Sequence, residues 1–325
     1  ARVSPGSPFV ADLTSLNGDA DLYISCTWHP DPSNYNWQSG TTGVDSVSVQ
    51  PSDARYCKNG TFFLGVNGFR ADSKFVLAAT DDKTRPIQLD PALPVDGSTA
   101  SGGYMYFQTQ LPDDNSDLFI DVSPLSGDPD VFMNCFTDGP PSQASHTWAS
   151  TNPGLDNEHI AVTPHDAHYC AAGEPYLVAV LASGSAEADY SIVATSPQHV
   201  EPIVMIPDQP QTGVVSGANV QPLFELDVSD MPPATTVVTF NATVSSGTLQ
   251  LFVSADGKIP TKAAHQWASP FTRGGSTSVA VSLNDSGFHG GPLTVAVLGD
   301  GTGAQSAAFQ LVAHTNDNVA RALRG

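Results

Sequence analysis

"GDADLYISC" at 18–26, "GDPDVFMNC" at 127–135 and "GTLQLFVSA" at 247–255 are three versions of one nine-residue phrase. Each opens on a glycine and continues as a short, largely apolar run of strand-forming residues. The glycines stand 109 and 120 residues apart, and a long recurring period is the mark of a repeated module. The residues after each phrase also repeat in order. A Trp-x-Ser loop comes first: "NWQSG" (36–40), "TWASTN" (147–152) and "QWASPF" (266–271). Then comes a strand, "VDSVSV", "NEHIAV" or "STSVAV", and a corner, "DARYC" (53–57), "DAHYC" (166–170) or "DSGFH" (285–289). An apolar strand and a last strand complete each copy: "FFLGVNG" and "KFVLAAT", "YLVAVLA" and "DYSIVAT", "LTVAVLG" and "AFQLVAH". The expectation is an all-β chain of three tandem β-sandwich domains, Ig-like or jelly-roll-like, at 1–85, 86–202 and 203–325. Short Pro/Gly-rich linkers, "RPIQLDPALPVDGSTASG" (85–102) and "EPIVMIPDQPQTGVVSG" (201–217), join them.

Bulk properties agree with that class. Of 325 residues, 40% are hydrophobic, which is enough for real cores, and 28 glycines and 26 prolines punctuate short strands. Only 12 residues are Lys or Arg against 33 Asp or Glu, a net charge of −21. Such a surface lacks the clustered cations that phosphate binding needs, so nucleic acid is excluded as a partner. No apolar run reaches the ~18 residues of a membrane helix, so membrane insertion is not expected. The first residue is Ala1, with neither a Met nor a signal-like segment. This reads as a secreted, proteolytically processed product.

The four cysteines allow three pairings. Cys26 and Cys135 hold one repeat position and Cys57 and Cys170 another; in the third copy these are Ala255 and His289. Both cysteines vanish together, as a bonded pair would. The expected bonds are therefore Cys26–Cys57 and Cys135–Cys170, which implies an oxidising, extracellular or cell-surface location.

Trp37, Trp148 and Trp267 have two readings: a plug at the end of each sandwich, or exposed indoles that stack on sugar rings. Asp19 with Asp21, and Asp128 with Asp130, lie two apart at a strand start, where side chains share a face. They are either calcium ligands, with hard oxygens suited to that ion, or a solvated acidic turn. Thr248 and Gln250 replace them in the third copy, and no other cofactor is expected. His159, His165 and His168 form the best zinc-like set, without convincing spacing. Sequons at Asn59, Asn241 and Asn284 are candidate N-glycan acceptors.

The layout of residues 18–80, from "GDADLYIS" through "NGTFFLGVNGF" to "FVLAAT", resembles the bacterial pre-peptidase C-terminal domain, a β-sandwich of secreted proteins. The resemblance implies a sandwich fold and a non-catalytic accessory role. No G-x-S-x-G, H-E-x-x-H, phosphate-loop or dinucleotide motif occurs, so an enzyme is not expected.

The first copy has prolines in "ARVSPGSP" where the others have an opening strand, "YMYFQT" (104–109) or "PLFELDV" (222–228). The chain's other end, "NDNVARALRG", resembles the start of a linker, with Val319, Ala320 and Leu323 as its apolar residues. Two accounts fit: frayed termini, or a tail that docks on the first module of another copy. The expected function is a structural subunit of an extracellular fibre or appendage, assembled head to tail with itself. The alternative is a secreted carbohydrate- or surface-binding protein whose partners are glycans.

Overall fold

In the computed structural model the described residues are 1, 6–41, 45–68, 73–81, 86–111, 115–196, 201–215, 222–229, 231, 235–299 and 307–316. They are almost entirely β, with one short 3-10 turn at Phe136–Asp138.

The first segment contributes β1 (Phe9–Asn17), β2 (Ala20–Ser25), β3 (Trp37–Ser39), β4 (Asp45–Val49), β5 (Phe63–Gly68) and β6 (Lys74–Thr80). They form two antiparallel sheets, ordered β4-β1-β6 and β3-β2-β5. The second contributes β7 (Ile87–Gln88), β8 (Val95–Thr99), β9 (Tyr104–Thr109), β10 (Leu118–Ser126), β11 (Pro129–Cys135), β12 (Trp148–Ser150), β13 (Glu158–Val162), β14 (Tyr176–Ala182) and β15 (Ala188–Thr195). Here the sheets are β13-β10-β15-β8 and β12-β11-β14-β9-β7. The third contributes β16 (Ile203–Val204), β17 (Gln211–Val215), β18 (Leu223–Leu226), β19 (Val237–Ser254), β20 (Trp267–Ala268), β21 (Thr272–Ser282), β22 (Leu293–Gly299) and β23 (Ala307–Thr315). Its 18-residue β19 joins both layers: Val237–Ser246 pairs with β21 and β23, Leu249–Ser254 with β20 and β22, and β21 continues across the bend to Thr248 and Leu249.

The quoted phrase is the place where the chain passes from one sheet to the other. Gly18, Gly127 and Gly247 all take positive φ, 79°, 74° and 76°. At Gly127 a Cβ would stand 2.4 Å from the Glu187 carbonyl oxygen, so only glycine fits. Just before the glycine the register slips by one residue, between Ser15 and Asn17, Pro124 and Ser126, and Val244 and Ser246. A bulge of this kind bends and twists the strand into the corner.

Alternation explains the exterior strands. In β4 and β13 every second residue is buried, and β23 follows the same rule. By contrast β2, β11 and β14 are buried at every position. The loop after each crossing strand folds back on it through one aromatic contact per segment: Tyr23 with Tyr35, Phe132 with His146, Phe252 with His265.

The stretches read as linkers are not linkers. Each carries a strand, β8 or β17, that hydrogen-bonds to the last strand of the segment it precedes. The same strands weld the segments together. The Asp96 amide of β8 donates to Thr14 Oγ1 of β1 (2.7 Å), and the Asp96 carboxylate accepts from Gln209 Nε2 of the third segment (2.6 Å). Val10 and Val76 pack into the core of the second segment, and Ala92 and Val193 into that of the third.

Candidate functional site

Each corner is a clasp built from several parts. Cys26 is bonded to Cys57 and Cys135 to Cys170, with Cα atoms 5.2 and 5.5 Å apart. Asp53 and Asp166 each cap their own turn, accepting from the amides of Arg55 and His168. The second oxygen of each accepts from an indole: Trp37 Nε1–H to Asp53 at 3.0 Å, Trp148 Nε1–H to Asp166 at 3.1 Å. These bonds to the ionised form hold both carboxyls below their usual range, led by the backbone amides. Tyr56 and Tyr169 then donate from their hydroxyls to the Ser7 and Ser116 carbonyls, tying the corner to the residues that lead into the crossing strand.

Of the two readings of the tryptophans, this geometry favours the plug. Trp37 is 9% exposed and belongs to the first core; Trp148 and Trp267 are half-buried against the second and third. The exposed indole is Trp28, at 68%, edge-on to Phe63; Tyr35, later in the same loop, is 41% exposed. Trp28 has no Trp counterpart in the other copies, so a search by repeat passes over it.

The acid pairs divide differently from the expected i, i+2 sets. Asp19 is half-buried, whereas Asp21 is buried. Asp128 is consumed locally, accepting from the Gly154 amide and the Ser183 hydroxyl. The charge of Asp21 instead reaches Asp45, and those of Asp130 and Asp128 reach Glu158, residues far apart in sequence. Burial is the main cause that pushes Asp45 up and takes Glu158 to about 7; the charges of Asp21 and Asp130 push the same way. Among the described residues no three His, Cys, Asp or Glu side chains converge as a metal site unaided. The zinc-like histidines disperse: His159 pairs with Asp121 at 2.7 Å, and His165 and His168 are exposed. Of the sequons, Asn59 and Asn284 are exposed, while Asn241 is half-buried in β19, between β21 and β23.

Strand edges differ among the segments. The outer edge of β14 is covered by β9, that of β15 by β8, that of β22 by β18 and that of β23 by β17. On the matching edges of β5 and β6 no strand pairs, among the described residues. Ala1 alone meets Phe62, in a two-way backbone bridge of 2.7 and 2.9 Å. Among the described residues, then, neither sheet of the first segment has a strand on that edge, where a single missing strand was expected. Val319, Ala320 and Leu323 lie outside the described residues.

No helix among the described residues is long and apolar enough to cross a membrane. No family model matches the chain. Among solved structures it is similar, over 96% of its length and 81% of the other chain, to an archaeal virus protein described by its triple jelly roll fold and turret assembly, at 9% identity and a TM-score of 0.21. It is similar over 97% of its length and 66% of the other to VP2 of infectious bursal disease virus, at 12% identity and 0.22. The CUB1-EGF-CUB2 region of human MASP-1/3 covers 62% of it, with 99% of that chain matched, at 9% identity and 0.18. All three scores are too low to establish a shared fold.

Proposed function

We propose that this chain is a non-enzymatic, extracellular structural subunit that assembles head to tail into a fibre or surface appendage. The observation that carries the reading is that no strand among the described residues pairs with the outer edges of β5 and β6, one on each sheet, where the counterparts in the other segments are covered. Unpaired edges present free N–H and C=O groups and act as templates for strand addition. The tail around Val319, Ala320 and Leu323 of one copy supplies the incoming segment. A contact between two different surfaces does not close on itself, so it propagates as a filament. Phe75 of β6, at present exposed, would be buried in part by the added strand. The welded junctions at Thr14, Asp96 and Gln209 favour a stiff rod over beads on a string. The two disulfides suit an oxidising extracellular setting, where the exposed Asn59 and Asn284 would carry glycans.

Deleting residues 316–325 tests this. Sedimentation velocity and electron microscopy are expected to find folded monomers where the whole chain gives filaments. Filaments of unchanged length from the truncated chain refute the reading.

A second reading, binding to a glycan-coated surface, draws on exposed Trp28 and Tyr35. It expects a sugar-dependent change in indole fluorescence that disappears in Trp28→Ala. A flat response across neutral and acidic glycans removes it.

A further inference from the structure

The first two segments each bury a pair of carboxylates beside the loop that carries the chain from one sheet to the other. In the first the pair is Asp21 and Asp45, at 8% and 2% exposure; in the second it is Asp130 and Glu158, at 6% and 0%. One member of each pair clamps the loop. Asp45 Oδ1 accepts from Ser39 Oγ (2.7 Å) and the Thr41 amide (2.9 Å), and Glu158 Oε1 accepts from the Asn152 amide (2.7 Å).

Each pair also contains a buried oxygen with no hydrogen-bond donor, Asp21 Oδ1 and Glu158 Oε2. The loop backbone passes close to the first of these. The loop runs past it with a glycine, Gly40, where a Cβ would stand 3.3 Å from Asp21 Oδ1. Among the described residues no Lys, Arg or His forms an ion pair with any of the four acids. Two adjacent buried carboxylates without a counter-charge are among the most costly arrangements a protein interior can hold.

The third segment shows that the fold does not require them. At the same repeat positions it has Gln250 and Thr277, which satisfy themselves on the backbone: Gln250 Nε2–H to the Ser269 carbonyl (2.7 Å), Thr277 Oγ1–H to the Pro270 carbonyl (2.8 Å). Both acids are replaced together, and both times by neutral groups. A loop clamp alone needs one acceptor, not two facing charges with an oxygen to spare.

We propose that the Asp21–Asp45 pair and the Asp130–Glu158 pair each bind a divalent cation of calcium's class. Two carboxylates supply the charge, and hydroxyl, backbone carbonyl and water oxygens complete the six to eight ligands such an ion takes. Ser39 and Ser150, which flank the clamped loops, are the nearest candidates for hydroxyl ligands. Asp128 is not a ligand, because its oxygens already serve Gly154 and Ser183. The ion neutralises the pair and pins the inter-sheet loop, independently of whether the chain polymerises.

The test is calorimetric titration of calcium chloride into the full chain stripped with a chelator, with melting temperature followed alongside. Two ions per chain and a higher melting temperature in calcium are expected. Asp21→Gln with Asp45→Thr installs the third segment's own solution and is expected to leave one ion. Adding Asp130→Gln and Glu158→Thr is expected to leave none. A wild-type chain that takes up no calcium, and melts alike with and without it, overturns the proposal and leaves a shared proton as the compensation. Two ions retained by the fourfold variant overturn it as well. If that variant fails to fold by circular dichroism, Asp45→Asn and Glu158→Gln singly carry the same test, each expected to lose one ion.

Discussion

Asp96→Asn isolates one buried charge at the point where all three segments meet. Asp96 is 3% exposed, its amide bonds Thr14 of the first segment, and its carboxylate accepts from Gln209 of the third. Burial pushes its carboxyl up to about 7, ahead of the opposing hydrogen bond from Gln209. The unfolded chain has an ordinary aspartate near pKa ~3.9. Folding therefore favours the protonated form, and the folded state binds an extra proton between those two values. The stabilisation tied to that proton is fully present below about pH 4 and is lost as pH rises through about 7. The slope is at most about 1.4 kcal/mol per pH unit, so the whole window is worth up to about 4 kcal/mol. Asparagine keeps an acceptor for Gln209 but cannot ionise. Measured by urea unfolding with tryptophan fluorescence, the variant is expected to gain on the wild type by about 2–4 kcal/mol between about pH 4.5 and pH 8. Glu158 titrates in both chains and cancels from the difference, whereas the charges of Asp45 and Asp189 act on Asp96 and form part of the effect measured. A difference that stays constant across that range refutes the assignment of a buried, proton-holding Asp96.

Two further outcomes concern the corners. Replacing Cys26 and Cys57 by serine opens a loop of 31 residues and is expected to cost about 3.7 kcal/mol on the chain-entropy account, measured as denaturant stability against the wild type with and without reductant. The alanine variant of Gly127 meets backbone at 2.4 Å with φ at +74° and is expected to lose more than about 2 kcal/mol. Gly18→Ala should lose less, because its closest neighbour is the Ser73 hydroxyl, the end of a side chain that can turn away. Equal losses at the two glycines contradict this account of the sheet crossing.

The strands are legible in the sequence where their signal is local. Burial alternation in "DSVSV" and "EHIAV" is written in consecutive residues, and three copies of one phrase report each other's register. The joint absence of both cysteines at Ala255 and His289 narrows three pairings by the same comparison. The tryptophans are ambiguous, since an indole that fills a core and one that meets a sugar have the same letter. Their partners, Asp53 and Asp166, sit 16 and 18 residues on, and only the corner turns bring them within reach.

Repetition in the amino-acid order was enough for the all-β class and the copied plan, because side-chain alternation and glycine corners act over a few residues. Three features came from the packed molecule alone: β8 and β17 as strands rather than linkers, the uncovered edge of β6 among the described residues, and the approach of Asp21 to Asp45 and of Asp130 to Glu158. Each depends on which residues face one another across a sheet or a core. Such contacts join distant positions through the path of the whole chain, and no window along it contains both ends.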